Sequence, residues 1–196
     1  MRTIGPAHAE TKQRILTVAR QLVLKHGHGG LSLRAIARAM GFSAPSLYEY
    51  FDRKEAIIEA IAGQITGSLR VAMQRAVDGA RDPRAGLVAL GAGYVAWAKR
   101  HPQDFMLMFS RLPSKRRSLN AGGGADSPYM LVIQAARAAQ ASGVLGPKAD
   151  AETVAYAIWA AAHGMAMLQL THLAGFDADF EAADRATLEA IVAGFA

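Results

Sequence analysis

The tetrapeptide Met40-Gly41-Phe42-Ser43 limits what this chain can fold into more than any other short stretch. Glycine reaches the left-handed backbone region without steric cost and so ends a helix cleanly. A serine two residues later caps whatever helix comes next. A short helix over residues 33–40 must therefore turn sharply into a second one that begins after Ser43. Ser32 is placed to cap the first of this pair, and Pro45 falls in the first turn of the second, where its missing N–H costs nothing. Upstream, Ile15, Ala19, Leu22 and Val23 recur at helical spacing, with Thr11 as the expected N-cap and Gly27, Gly29 and Gly30 as the stop. Downstream, Asp52-Arg53-Lys54-Glu55 has the spacing of a capping box and opens a long helix towards Asp78.

The remainder reads the same way. Asp82-Pro83 starts a helix that runs to His101-Pro102, and a short apolar helix follows through Phe105, Met106, Met108 and Phe109. Residues 113–127 hold a glycine-rich, low-complexity stretch and are expected to form a loop. Ser127-Pro128 opens another helix that Gly143 stops, Asp150 caps a run to about Ala174, and a last helix covers roughly residues 179–195. No segment alternates β-branched and polar residues as a strand would. The expected class is all-α.

Composition narrows the function. Apolar residues make up 52% of the 196 and charged ones 19%, enough for a real core and unlike a disordered chain. There is no cysteine, which removes disulfides, thiolate nucleophiles and cysteine zinc sites. Residues 1–20 lack the apolar stretch of a signal peptide, and the Ala-rich run over 154–170 is short for a membrane span, so a cytoplasmic protein is expected. The net charge of +6 is unevenly spread. Residues 1–60 carry nine Lys and Arg against five Asp and Glu, residues 61–148 twelve against four, and residues 149–196 one against seven. Any surface for nucleic acid must therefore be local. Gly91-Ala92-Gly93-Tyr94-Val95-Ala96 formally matches a dinucleotide fingerprint but lacks the preceding strand that the fingerprint requires. His26 and His28 flank a turn without further ligands, and no catalytic triad or acid pair stands out, so neither a metal, a cofactor nor an enzyme is expected.

In the tight helix pair, Ile36, Ala37, Met40 and Phe42 face Leu47 and Phe51 across the turn. That leaves Arg34, Ala44, Pro45, Ser46, Tyr48, Glu49 and Tyr50 for the outside. Two adjacent exposed tyrosines and a proline suit contact better than solvent, and a short scaffold helix followed by a reading helix is how a helix-turn-helix enters the DNA major groove. The string from Gly30-Leu31-Ser32-Leu33-Arg34-Ala35-Ile36-Ala37 through Gly41-Phe42-Ser43-Ala44-Pro45-Ser46-Leu47-Tyr48-Glu49-Tyr50-Phe51 to Lys54-Glu55, preceded by Thr11, Ile15, Leu16 and Ala19, resembles the TetR family of one-component transcriptional regulators. The likeness covers about residues 10–60.

The resemblance implies residues 1–60 as a three-helix DNA-binding head and residues 61–196 as a helical bundle for dimerisation and effector binding. It implies double-stranded operator DNA as partner, with Ser32 and Lys54 on phosphates, Arg34 in the groove, and Ala44, Pro45, Ser46 and Glu49 facing bases. Tyr48 and Tyr50 would meet phosphates or thymine methyls. Glu49 departs from the family's frequent aromatic or histidine; it either accepts from a cytosine amino group or turns outward. Trp159, His163 and Gly164 look like a tryptophan–histidine–glycine signature of one C-terminal subclass. The apolar stripe Val154, Ala157, Ile158, Ala161, Met165 and Leu168, with Leu188, Ile191, Val192 and Phe195, suits packing within one subunit or a two-fold homodimer interface, and the interface is favoured. Tyr94, Trp97, Phe105, Met106, Met108, Phe109, Met130, Ile133, Trp159 and His163 are candidates to line a pocket for a small, largely hydrophobic effector, whose binding would release the DNA. The competing reading is a structural or partner-binding helical protein.

Overall fold

The computed structural model describes residues 6–109 and 127–196, and every regular element among them is helical. In order they are α1 (Pro6–His26), a 3₁₀ turn (His28–Gly30), α2 (Leu33–Met40), α3 (Ala44–Tyr48), α4 (Lys54–Asp78), α5 (Pro83–Arg100), α6 (Pro102–Phe109), α7 (Pro128–Ala141), α8 (Ala151–Leu170) and α9 (Phe180–Ala193). The fold is thus all-α, as the periodicity predicts. Apart from Ser127, the glycine-rich stretch expected as a loop lies outside the described residues.

Most helix starts follow from one interaction repeated. Ser32, Ser43, Asp82, Ser127, Asp150 and Asp179 each hold a backbone N–H three residues on, satisfying one of the donors that a helix start leaves open. Three expectations need correction. Thr11 is not a cap: α1 begins at Pro6, and the Thr11 hydroxyl donates to the Ala7 carbonyl at 2.9 Å from inside the helix. The capping box at α4 does not form: the helix begins at Lys54, so Arg53 and not Asp52 stands at the cap position. The α8 helix ends at Leu170 rather than Ala174, where the Leu173 N–H turns back to the Leu168 carbonyl at 2.8 Å.

The chain divides into two compact units, Met1–Ile65 and Thr66–Ala196, and the division falls inside α4. In the first, Ile15, Leu16, Ala19 and Val23 of α1 are buried together with Leu31, Ile36, Ala37, Leu47, Phe51 and Ile57. In the second, α5 is the central helix, packed by α6, α7, α8 and α9. Its Leu87, Leu90, Tyr94, Trp97 and Ala98 are buried, each large side chain contributing roughly 1.5–3 kcal/mol by leaving water. The carboxylate of Asp184, nearly enclosed, accepts from Gln169 Nε2 at 3.0 and 2.9 Å, which ties α9 to α8.

The glycines that imitate a dinucleotide fingerprint have a packing reason. A Cβ on Gly91 would lie 2.6 Å from Leu188 Cδ2, and one on Gly93 would lie 2.9 Å from Ala76 Cβ. Each lets another helix approach α5. Leu188 is fully buried and cannot swing clear. Gly91→Ala should therefore destabilise the protein by about 1–2 kcal/mol, the overpacking cost exceeding the gain in helix propensity. Gly63→Ala, on α4 with nothing within 4 Å, should stabilise by up to about 1 kcal/mol. Thermal melts of the two variants check the contrast; equal shifts would contradict it.

Candidate nucleic-acid interface

The joint between α2 and α3 is set by backbone geometry. Gly41 adopts φ +70° and ψ +24°. Its N–H donates to the Arg38 carbonyl at 3.3 Å, and the Phe42 N–H reaches the Ala37 carbonyl at 2.9 Å. These are the two bonds of a Schellman ending, which closes α2 and turns Phe42 back over it. Ser43 follows in an extended conformation; its Oγ accepts from Ser46 N at 3.3 Å and shares a 2.7 Å bond with Ser46 Oγ. Inside, Leu47 and Ile36 are fully enclosed with Ala37 and Phe51 beside them, and Met40 and Phe42 are half-buried around the edge.

This leaves a defined outer side. Tyr48 is 60% exposed, and Pro45, Glu49, Arg34 and Ser32 are exposed as well, while Ala44, Ser46 and Lys54 are half-buried. Arg34 and Glu49 form no ion pair among the described residues. The Ser32 oxygen accepts from Ala35 N at 3.1 Å, so its own O–H remains a donor. Glu49 stands just past the last residue of α3. Tyr50 is less free than its neighbour: it is half-buried and stacks on His8, ring centroids 4.5 Å apart. Sequence reasoning missed His8, because nothing local links the start of α1 to a residue 42 positions on. It also missed Lys12, whose ammonium lies 5.0 Å from the centre of the Phe51 ring.

The candidate effector residues do not all meet. Tyr94, Phe105, Phe109 and His163 form one aromatic cluster: the Tyr94 hydroxyl and His163 Nδ1 share a 3.0 Å hydrogen bond, and the Phe109 and His163 rings are 4.4 Å apart. Trp159 packs against Tyr129 at 5.5 Å, Ile133 is fully enclosed and Met130 half-buried. Trp97 lies elsewhere, donating its indole N–H to Ser68 Oγ at 3.1 Å and lying against His101. Met106 is 43% exposed. A separate open groove of about 1480 Å³ in this unit is lined by α4, α5 and α9, and of the candidate pocket residues Trp97 alone lines it. Among the described residues no cluster of three His, Asp or Glu side chains is placed to hold a metal, and no helix is long and apolar enough to cross a membrane.

Burial sets the titration of the aromatic cluster. It pushes the Tyr94 phenol well above its ordinary range and lowers the His163 imidazole below its usual 6.5. The folded chain then resists a proton that the unfolded chain accepts, so the stability linked to His163 is complete above about pH 6.5 and declines as the pH falls below it. In urea melts, the stability gap between wild type and His163→Gln should narrow from about pH 8 to about pH 5. A gap independent of pH would contradict this.

Residues 15–61 match the bacterial regulatory proteins of the tetR family, and residues 87–195 match the tetracyclin repressor-like C-terminal domain. An uncharacterised HTH-type transcriptional regulator of Mycobacterium tuberculosis is 27% identical over 164 residues, 82% of this chain and 71% of that protein. A protein of unknown function from Rhodococcus sp. RHA1 has the same fold, with a TM-score of 0.77 and 30% identity over 94% of this chain and 95% of that one. A TetR family transcriptional regulator from Thermus thermophilus superposes with a TM-score of 0.64 at 22% identity, covering 91% of this chain and 94% of its own. Head and body answer to one description, and the chain belongs to the TetR family of DNA-binding transcriptional regulators, which act by binding and not as enzymes.

Proposed function

We propose that this protein is a cytoplasmic repressor that binds a palindromic operator as a homodimer and leaves it when a small, largely hydrophobic effector occupies the C-terminal unit. One observation carries the DNA-binding half of this reading. The outer side of α3, with the Arg34 end of α2, is exposed while the opposite side is enclosed in core. Arg34 then offers a fork of donors to guanine, Pro45 and Ser46 face bases, and Tyr48 meets a phosphate or a thymine methyl. Ser32 and Lys54 hold phosphates at helix starts. Tyr50, backed by His8, acts from a fixed position.

The dimer reading keeps Leu168 but otherwise needs a different face from the stripe that periodicity favours. Val154, Ile158, Leu188 and Val192 are enclosed within one chain and are not available to a partner. The outer side of α8 carries another stripe at four-residue spacing: Tyr156 at 56% exposure, Ala160, Gly164 and Leu168 at 48%. Gly164 has no atom within 4 Å of where a Cβ would stand, so nothing within the subunit calls for glycine there. The exposed side of α9 is lined by Ala182, Ala186, Ala190 and Ala193. Small, apolar outer faces on adjacent helices suit a two-fold four-helix interface. Two heads so joined read both halves of an inverted repeat.

Release follows from population shift. An effector must prefer a conformation in which the heads no longer fit adjacent major grooves. The α4 helix contributes residues to both units without a break and is the natural carrier of that change.

Gel shifts against DNA flanking the coding region test the reading. Arg34→Ala and Tyr48→Ala should each weaken specific binding by about 1–3 kcal/mol with the melting temperature unchanged. Lys54→Ala should weaken binding to all sequences and lower the salt dependence by about one charge. Equal affinity for scrambled DNA, or no loss in any variant, would favour a partner-binding helical protein instead.

A further inference from the structure

The groove lined by α4, α5 and α9 runs beside two close contacts between α4 and α5. Gly93 and Ala76 bring α5 and α4 together, since a Cβ at Gly93 would come within 2.9 Å of the Ala76 methyl. The bond from Trp97 to Ser68, 3.1 Å long, ties the same two helices again. Around these ties lies an open volume of about 1480 Å³. Its lining runs along α5 from Arg84 to Lys99, about 22 Å, which suits an elongated guest. Its floor is apolar, with Val71, Ala76, Val88, Ala92 and Trp97 among the lining residues. Val71 is 48% exposed there.

The charges around this floor do not cancel. Arg75, Arg81, Arg84, Lys99, Arg100 and Arg185 line the groove, against Asp82, Glu181, Asp184 and Glu189. Two of the four acids are already engaged. Asp82 caps α5 through Ala85 N at 2.7 Å and lies 3.3 Å from Arg81, and Asp184 is held by Gln169. Arg100 spends its Nε on the Ala96 carbonyl. Arg75, Arg84, Lys99 and Arg185 form no ion pair among the described residues, and of the remaining acids only Glu181 and Glu189, both on α9, share the groove with them. Along α4 and α5 the wall is therefore cationic above an apolar floor.

We propose that this groove is a ligand site for an elongated organic anion, an alkyl carboxylate in chemical class. Its chain would lie along the alanine and valine floor, and its head would meet Lys99 at one end of α5 or Arg84, about 22 Å away, at the other. Guanidinium and ammonium groups without partners gain most from a carboxylate brought to them on an apolar body. A neutral guest would leave those cations unused, and a cationic amphiphile would be repelled by them. As the effector site of this protein, the groove rests on the reading above that a ligand governs DNA release. A guest wedged between α4 and α5 acts directly on the helix that both units share.

Calorimetry with dodecanoate, below its micelle concentration and without DNA, tests the site. Dodecanoate should bind the full-length protein, and dodecanol and dodecyltrimethylammonium should bind at least tenfold more weakly, a ratio of roughly the size expected for charge-assisted contacts. The double substitution Arg84→Ala with Lys99→Ala should weaken dodecanoate by roughly tenfold or more. Both residues are exposed and unpaired, so its melting temperature should not move. Tyr129→Phe, in the aromatic region rather than the groove, should bind as wild type does. No binding, equal binding of the three amphiphiles, or affinity unchanged by the double substitution would overturn the proposal. A gel shift separates the two readings. Binding without DNA release keeps the groove and removes its effector role, whereas release by some other compound with no dodecanoate binding keeps the effector reading and removes the groove.

Discussion

The DNA-binding head depends on one backbone conformation. At Gly41 the chain turns left-handed, which closes α2 with two hydrogen bonds and leaves only Phe42 and Ser43 before the next helix starts. Any residue with a Cβ is strained there by roughly 1–2 kcal/mol. Everything beyond the turn inherits its direction. Leu47 is carried into the core, so the opposite side of the same short helix, with Pro45 and Tyr48, is carried into solvent. A five-residue helix has no stability of its own; it is held by its cap and by the burial of Leu47 and Phe51. The residues that the proposed reading offers to DNA are thus held in place by residues enclosed in the core.

The second unit solves a different problem with the same residue type. Its central helix must be approached by neighbours on several sides, and Gly91 and Gly93 remove the side chains that would hold α9 and α4 away. Close approach at Gly93 pins α4 to α5, and the groove lies along the same pair of helices. The excess of cations on residues 61–148 finds a structural meaning there, since several of them line that groove.

What can be read in the sequence is local. Caps act over three residues, and Ser32, Ser43, Asp82, Ser127 and Asp150 open helices where their spacing suggests, while Asp179, read as the first residue of the last helix, caps it instead. Thr11 misleads because a threonine inside a helix can bond the preceding turn's carbonyl as readily as it caps, and Pro6 already supplies a start. The Asp52–Glu55 spacing misleads because α4 begins at Lys54, one residue later than a cap at Asp52 requires. What cannot be read is tertiary. Periodicity marks an apolar stripe on α8 but not which side a neighbour within the subunit covers, so it points Val154 and Ile158 outward together with Leu168, while only Leu168 of these three faces solvent, beside Tyr156 and Ala160. Aromatic residues are legible as a set, yet only helix crossings decide that Tyr94, Phe105, Phe109 and His163 meet while Trp97 goes to the groove. The stack of His8 on Tyr50 joins elements that no short-range rule connects.

The central claim is that two copies of the α2–α3 module read bases. Selection of bound duplexes from a random DNA pool by the full-length protein measures this most directly. The account predicts enrichment of one sequence built from two inverted half-sites, their centres about one helical turn or a whole number of turns apart. A pool that emerges no different from the input, or one enriched only in sequences without any inverted repeat, would contradict it.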